Sequence, residues 1–337
     1  MKSLASKFHA SIYAIIMVIA LSIFVSSCEK EEMAVPDEQN SELKDITQVL
    51  ESYGEEQEGD DGYNLEEGED NLKSGKFREI PTFNTLLVAL VKTNLLGTVA
   101  KNRLTVFAPS DKAFAKLGLN PRNIGSVPNL KQILLYHVIS KPVFSFQLSN
   151  GFVPTLNGAA VEIKLNDGVM VNNAKVTIAD IRALNGVIHV IDNVLFPPTK
   201  NLVELALGFN PEFSILVAAV QKAGLVETLA TGGPFTVFAP TNDAFVSLLG
   251  ELGATSLDDI DAQTLKNVLL YHVVSGRVFS SDLKSGPVTS LNGNFSVNLS
   301  TLKITDARNR QAGLVTSLLN IQATNGVIHV IDRVILP

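Results

Sequence analysis

With 337 residues, 46% hydrophobic and 18% charged, the chain is long enough for two domains with ordinary cores. Its single cysteine excludes an intrachain disulfide and any paired-thiol chemistry. The formal charge of -7 is uneven: residues 29–79 carry 18 acidic and 5 basic side chains, against 16 and 20 over 80–337. So thin a positive balance over the larger part lacks the basic stripe that nucleic acid requires.

Residues 1–27 read as a secretion signal. Lys2 and Lys7 supply a positive start, and Ile12 to Val25 is apolar apart from Ser22. A helix of that length rises only about 21 Å, short of a bilayer core but suited to a signal peptide. Val25-Ser-Ser-Cys28 resembles the bacterial lipobox, which implies acylation of Cys28 and a membrane partner through the N-terminal lipid. Two or more acyl chains hold a protein firmly on a membrane. The following Lys30, Glu31 and Glu32 resemble the export signal of surface-displayed Bacteroidetes lipoproteins, so outer-membrane display is expected, with the periplasmic face as the alternative.

The span 28–79 is expected to be an acidic, disordered tether. Glu55-Glu-Gln-Glu-Gly-Asp-Asp61 and Glu66-Glu-Gly-Glu-Asp70 are its densest parts, and like charges with few apolar groups cannot offset chain entropy. The stretch Leu43 to Tyr53 has some helical character, and its state stays open. No EF-hand spacing appears in the acidic runs.

Beyond the tether the chain repeats itself. Thr105-Val-Phe-Ala-Pro-Ser-Asp-Lys-Ala-Phe114 returns as Thr236-Val-Phe-Ala-Pro-Thr-Asn-Asp-Ala-Phe245. Leu135-Tyr-His-Val138 returns as Leu270-Tyr-His-Val273, and Asn185-Gly-Val-Ile-His-Val-Ile-Asp192 as Asn325 to Asp332. Matching blocks in one order mean two tandem copies of a domain, over 80–198 and 201–337.

Each copy opens on a helix whose apolar residues recur at three and four: Phe83, Leu86, Leu87, Leu90 and Val91, then Phe213, Leu216, Val217 and Val220. Gly97 and Gly224 are expected to end these helices. A strand, Leu104 to Phe107, stops at Pro109, and Ser110 or Thr241 caps a short helix with Asp111 or Asp243 in its first turn. A longer helix over 129–136 follows and ends near Tyr136-His137. Tight turns at Asn157-Gly158, Asn166-Asp-Gly168 and Asn185-Gly186 then separate short strands. Helices first and strands later indicate an α+β fold. Pro197-Pro198 lies just before Asn201, so the linker is short and a fixed interdomain angle is expected.

The three repeated blocks resemble the fasciclin-type domain, in that family's order and across nearly all of the repeat region. The resemblance implies a β-sandwich-like core flanked by helices in each copy. It also implies an extracellular, often membrane-anchored protein of adhesion or of matrix and glycan binding, with no shared enzymatic activity or cofactor.

Several residues invite a chemical role. His189 with Asp192, and His329 with Asp332, look like metal or acid–base pairs. Their spacing of three on a strand sends the two side chains to opposite faces, so no metal site is expected. Tyr136-His137 and Tyr271-His272, flanked by branched apolar residues, match the motif proposed for integrin contact in animal fasciclin-type proteins. The competing reading has them hydrogen-bonded inside the domain. Arg308 and Arg310 have no counterpart in the first copy and form a candidate fork for a carboxylate or sulfate.

No nucleophile elbow, zinc-protease helix, P-loop or dinucleotide fingerprint occurs, and the absence of Trp weighs against indole stacking on sugars. The expectation is a non-enzymatic surface lipoprotein of adhesion, contacting extracellular glycan or a matrix or cell-surface protein. The alternatives are glycan capture for polysaccharide uptake and a self-associating envelope component.

Overall fold

The structure, a computed structural model, describes residues 44–55, 80–166, 168–209 and 211–337. Cys28, Lys30, Glu31 and Glu32, with the whole signal segment, lie outside the described residues. Among the described residues 34% are helical and 27% strand, an α+β composition.

The first domain runs α1 (Ile46–Glu55), α2 (Asn84–Lys92), α3 (Leu96–Lys101), β1 (Leu104–Pro109), α4 (Asp111–Ala115) and α5 (Leu130–Tyr136). The strands β2 (Val138–Ile139), β3 (Gly151–Pro154), β4 (Ala160–Lys164), β5 (Met170–Val171), β6 (Ala174–Ala183) and β7 (Gly186–Ile191) follow. The second domain repeats the order with α6 (Leu202–Gly208), α7 (Ser214–Lys222), α8 (Val226–Thr231), β8 (Phe235–Pro240), α9 (Asn242–Leu252) and α10 (Ala262–Tyr271). It closes with β9 (Val273–Ser275), β10 (Gly286–Ser290), β11 (Gly293–Asn298), β12 (Lys303–Thr305), β13 (Gln311–Gly313), β14 (Ile321–Ala323) and β15 (Gly326–Ile331).

Helix α1 corrects the expected tether. The Asp45 carboxylate accepts from the backbone N–H of Thr47 and Gln48, and the Gln48 side chain accepts from Asp45 N. This reciprocal cap starts a helix whose Ile46, Val49, Leu50 and Tyr53 form one apolar face. That face enters the first domain's core beside Phe83, Leu86 and Val99, with Ile46 and Leu50 buried. In the second copy Asn201 and Glu204 cap α6 in the same manner. The first domain therefore begins near Lys44 rather than at 80. Residues 56–79, with most of the acidic runs, join two helices of one domain, so 28–79 is not a continuous tether.

The core strands form because Val187 to Ile191 is apolar on both faces, as suits a central parallel strand. β7 runs parallel to β1 from Leu104↔Gly186 to Pro109↔Ile191, and β15 pairs β8 identically. Gly186 is required there, since a Cβ would collide with the Leu104 carbonyl oxygen. Helices cover one face of these strands; on the other, Phe107 and Ile191 meet Val161, Ile163 and Val171 of the antiparallel half. β6 belongs to both halves, bending through two register shifts, so the first domain has one seven-stranded sheet. In the second domain this stretch divides into β13 and β14, leaving two four-stranded sheets.

Gly224 ends α7 in the left-handed conformation as expected, at φ 66°. Gly97 does not end α2; it lies inside α3, and Asn94, at φ 57°, makes the equivalent turn. Asparagine tolerates that backbone because its short polar side chain bonds locally.

The two domains meet through a small apolar contact. Phe152 of β3 stacks on Phe279 with ring centroids 4.2 Å apart and planes 5° apart, over Ala160 and Val327. The Gln322 amide closes the seam, accepting from Ala160 N at 3.1 Å and donating to Ala160 O at 2.9 Å. Neither main core contributes to this cluster. Phe279→Asp is therefore expected to uncouple the domains while leaving both folded, removing about 3 kcal/mol of coupling. Small-angle scattering should show a larger radius of gyration; an unchanged radius would mean that the linker alone sets the angle.

Candidate functional site

The Tyr–His motif turns inward in both copies. Tyr136 and Tyr271 are the last residues of α5 and α10, and all four motif side chains are buried. His137 Nδ1 donates to Ile133 O at 2.7 Å, while its Nε2 accepts from Leu195 N at 2.9 Å. His272 repeats this with Val268 O and Ile335 N. Each imidazole is thus a neutral clasp between a helix end and the segment after the last strand. Burial holds both imidazoles down at about 4 from the usual 6.5, despite the carbonyl bonds that favour their charged form.

Tyr136 Oη donates to Ala160 O at 2.8 Å, the carbonyl that also accepts from Gln322. The first copy's motif therefore stands behind the interdomain seam. Tyr271 Oη donates to Asn294 O at 2.5 Å within its own domain. These four residues present no side-chain surface to a partner, and the inward alternative describes them.

The other pair of histidines is equally occupied. His189 Nε2 donates to Val143 O at 2.9 Å, and its Nδ1 accepts from Asp180 N at 3.2 Å. His329 makes the same bonds to Val278 O and from Asn320 N. Asp192 and Asp332 instead accept from the backbone of the neighbouring strand, at Lys175 N and Gly313 N. Among the described residues no group of three or more His, Cys, Asp or Glu is placed to hold a metal ion.

The expected arginine fork is not assembled. The Arg310 guanidinium is committed to Asp306 at 2.9 Å, Glu251 at 2.9 Å and Val334 O at 2.7 Å, tying its loop to α9 and the last segment. Arg308 is exposed and does not join it.

Two features escaped the sequence reading. The first is a pair of internal amide hubs. Asn185 Oδ1 accepts from Ile46 N, and its Nδ2 reaches the carbonyls of Val99, Ala100 and Asn102. Asn325 does the same for Leu202 N and the carbonyls of Leu229, Ala230 and Gly232. Each hub pins the domain's first helix to the end of its third. Their identity in both copies was the available signal.

The second is an aromatic face on the first domain. Phe146, 79% exposed, stacks on Phe144 at 5.8 Å, and the Arg182 guanidinium lies over the Phe144 ring at 5.5 Å. Asp180 holds the loop from below through Ser145 N and Oγ, and Gln147 accepts from Phe144 N. Burial would raise the Asp180 carboxyl, but the Ser145 bonds outweigh it and keep the group below its usual range. The second copy has Phe279 where the first has Phe144, Ser281 for Phe146 and Gln322 for Arg182. In that copy the face is covered by the first domain. In the first copy no part of the described chain covers Phe146.

The fasciclin domain model matches residues 81–197 and 211–337, and the chain belongs to that family as a tandem pair. It is similar to Protein sll1483 of Synechocystis, 42% identical over 44% of this chain and 79% of that protein. It is also similar to transforming growth factor-beta-induced protein ig-h3 of Sus scrofa, 35% identical over 70% of this chain and 33% of that protein. Periostin of Homo sapiens is 30% identical over 80% of this chain and 30% of its own length. The chain thus spans about a third of these two animal relatives. Among solved structures, a FAS1 domain pair from the insect cell adhesion molecule fasciclin I matches with a TM-score of 0.36, 20% identity, and coverage of 74% of this chain and 92% of that one.

Proposed function

We propose that the protein is a non-enzymatic adhesion lipoprotein, anchored through acylated Cys28 on the outer membrane and binding an extracellular matrix or cell-surface protein or glycan. The observation that carries this reading is the Phe144–Phe146–Arg182 face. Its counterpart in the second domain is a protein-covered surface, whereas here a loop tied down by Asp180 and Gln147 holds an aromatic ring and a guanidinium outward. Exposed aromatic and arginine side chains in combination are common anchors of recognition surfaces. Family membership supports the same reading, as does the lipobox at Cys28.

The test is binding of the chain from Glu29 onward to arrays of matrix proteins and glycans. That span keeps α1, without which the first core would lose Ile46 and Leu50. A specific ligand is expected, with affinity falling about tenfold or more in Phe146→Ala and Arg182→Ala, in keeping with recognition anchors. Full affinity in both variants would remove this face from the function. Selective capture of one polysaccharide without cell attachment would point to glycan uptake, and a blank array with concentration-dependent assembly to self-association. In cells, Cys28→Ala is expected to release the protein from membranes; retention in the membrane fraction would sink the anchor.

A further inference from the structure

The second domain holds a cavity of about 120 Å³, partly open to solvent, between α6, α7 and α8 and the central strands β8 and β15. Leu202, Ala206, Phe213, Leu216, Val217 and Val220 form much of its wall. Among the described residues no buried side-chain nitrogen or oxygen lacks a hydrogen-bond partner. The one titratable neighbour, His272, has both ring nitrogens engaged elsewhere and can offer the cavity only carbon. The space is therefore without a polar anchor.

Comparison of the two copies explains where the space comes from. Ala206, Val217 and Val220 occupy the positions that hold Leu50, Leu87 and Leu90 in the first domain, where Leu50 and Leu90 are buried in the core. All three substitutions are contractions in one wall. Leu229, in place of Val99, returns only part of the volume. The rim changes in the same direction: Leu207, 53% exposed, stands where the first copy has Glu51, and exposed Val226 lies beside it. A contraction inside and an apolar residue at the entrance together make an opening for hydrocarbon. An apolar cavity of about 150 Å³ stays dry and accepts benzene, so this one is of the right size for a ring or a short alkyl segment.

We propose that this cavity of the second domain is a binding site for an uncharged hydrocarbon group, either a small arene or the end of an alkyl chain. The ligand enters past Leu207 and Val226 and is held by dispersion and desolvation alone, with exposed Gln221 also on the lining. The first domain, with Leu50 in the corresponding wall, does not share the site.

The experiment uses the full chain with methyl-labelled Ala and Val, titrated with benzene and with n-hexane. Saturable shifts are expected at the methyls of Ala206, Val217 and Val220, with a rise in the second domain's unfolding midpoint. Ala206→Leu, which copies Leu50, is expected to abolish the shifts while preserving the remaining spectrum. Should that variant not fold, Val220→Leu makes the same test with one added methylene. Absence of saturable shifts in the unsubstituted protein, or undiminished shifts in the filled variant, overturns the proposal.

Discussion

Between pH 6.5 and 4 the protein is expected to lose about 3 kcal/mol of stability for each of His137 and His272. Both imidazoles are held at about 4 in the folded state, against 6.5 when free. One unit of such a difference is worth about 1.4 kcal/mol. Above pH 6.5 folded and unfolded chains both carry neutral imidazoles, and these groups impose no penalty. As the pH falls through 6.5 the unfolded chain takes up protons that the folded one refuses, and unfolding becomes more favourable. The loss is complete near pH 4, where the folded imidazoles begin to protonate. His189 and His329, lowered by the same burial, add to the effect.

The carboxylates do not explain this window. Burial alone would raise the Asp111 carboxyl, but bonds from Thr82, Thr85 and Asn84 outweigh it and hold the group below the usual carboxylate range. Its stabilisation is therefore retained until the pH falls below the ordinary carboxylate range. Urea titrations at pH 7, 5.5 and 4 measure the effect, and a flat stability from 7 to 5 would contradict neutral, clasped imidazoles.

Replacing Asn185 by Asp is expected to cost the first domain about 4 kcal/mol, and Asn325→Asp to do the same in the second. The substitution preserves shape and keeps the acceptor for Ile46 N or Leu202 N. It replaces the donating amide by an oxygen facing three carbonyls, at 2.7, 3.0 and 2.8 Å from Asn185 Nδ2 in the first copy. Partly buried carbonyls left without a donor cost about 1–3 kcal/mol each, and a negative charge beside them adds repulsion. Denaturant unfolding with separate probes for the two domains should show loss in the substituted one. A change under about 1 kcal/mol would mean that the loops reorganise and the hub is dispensable.

Both effects act through contacts hidden from local inspection. The Asn-Gly before the last strand reads as a hairpin turn, and the turn is indeed there. Its side chain, however, bonds groups 139 and 86 residues away in Ile46 and Val99. Of the partners of Arg310, Asp306 is four residues away, but Glu251 is 59 positions distant and Val334 24, so the sequence showed only part of its commitment. Phe146 carries no mark of exposure in the sequence, because its position depends on a loop that Asp180, 34 residues on, pins through Ser145.

Features that depend on neighbours along the chain were legible from the residues alone. Repeated blocks revealed two copies, and three-and-four spacing marked the faces of α2 and α7, apart from Val91, which is exposed; Ser110 and Thr241 capped their helices as hydroxyls do. The run from Gly186 to Ile191 read as a strand, and it is one. Only the tertiary structure decided which distant pieces close on one another. It placed 44–55 in the first core, because an amphipathic helix gains stability only against a surface that folding creates. It turned Tyr136 and His137 inward, because burial and hydrogen-bond partners belong to the closed fold and not to the order of residues. And it left unequal copies of one domain, with Leu50 in one wall and Ala206 at the corresponding place in the other, beside the second domain's cavity.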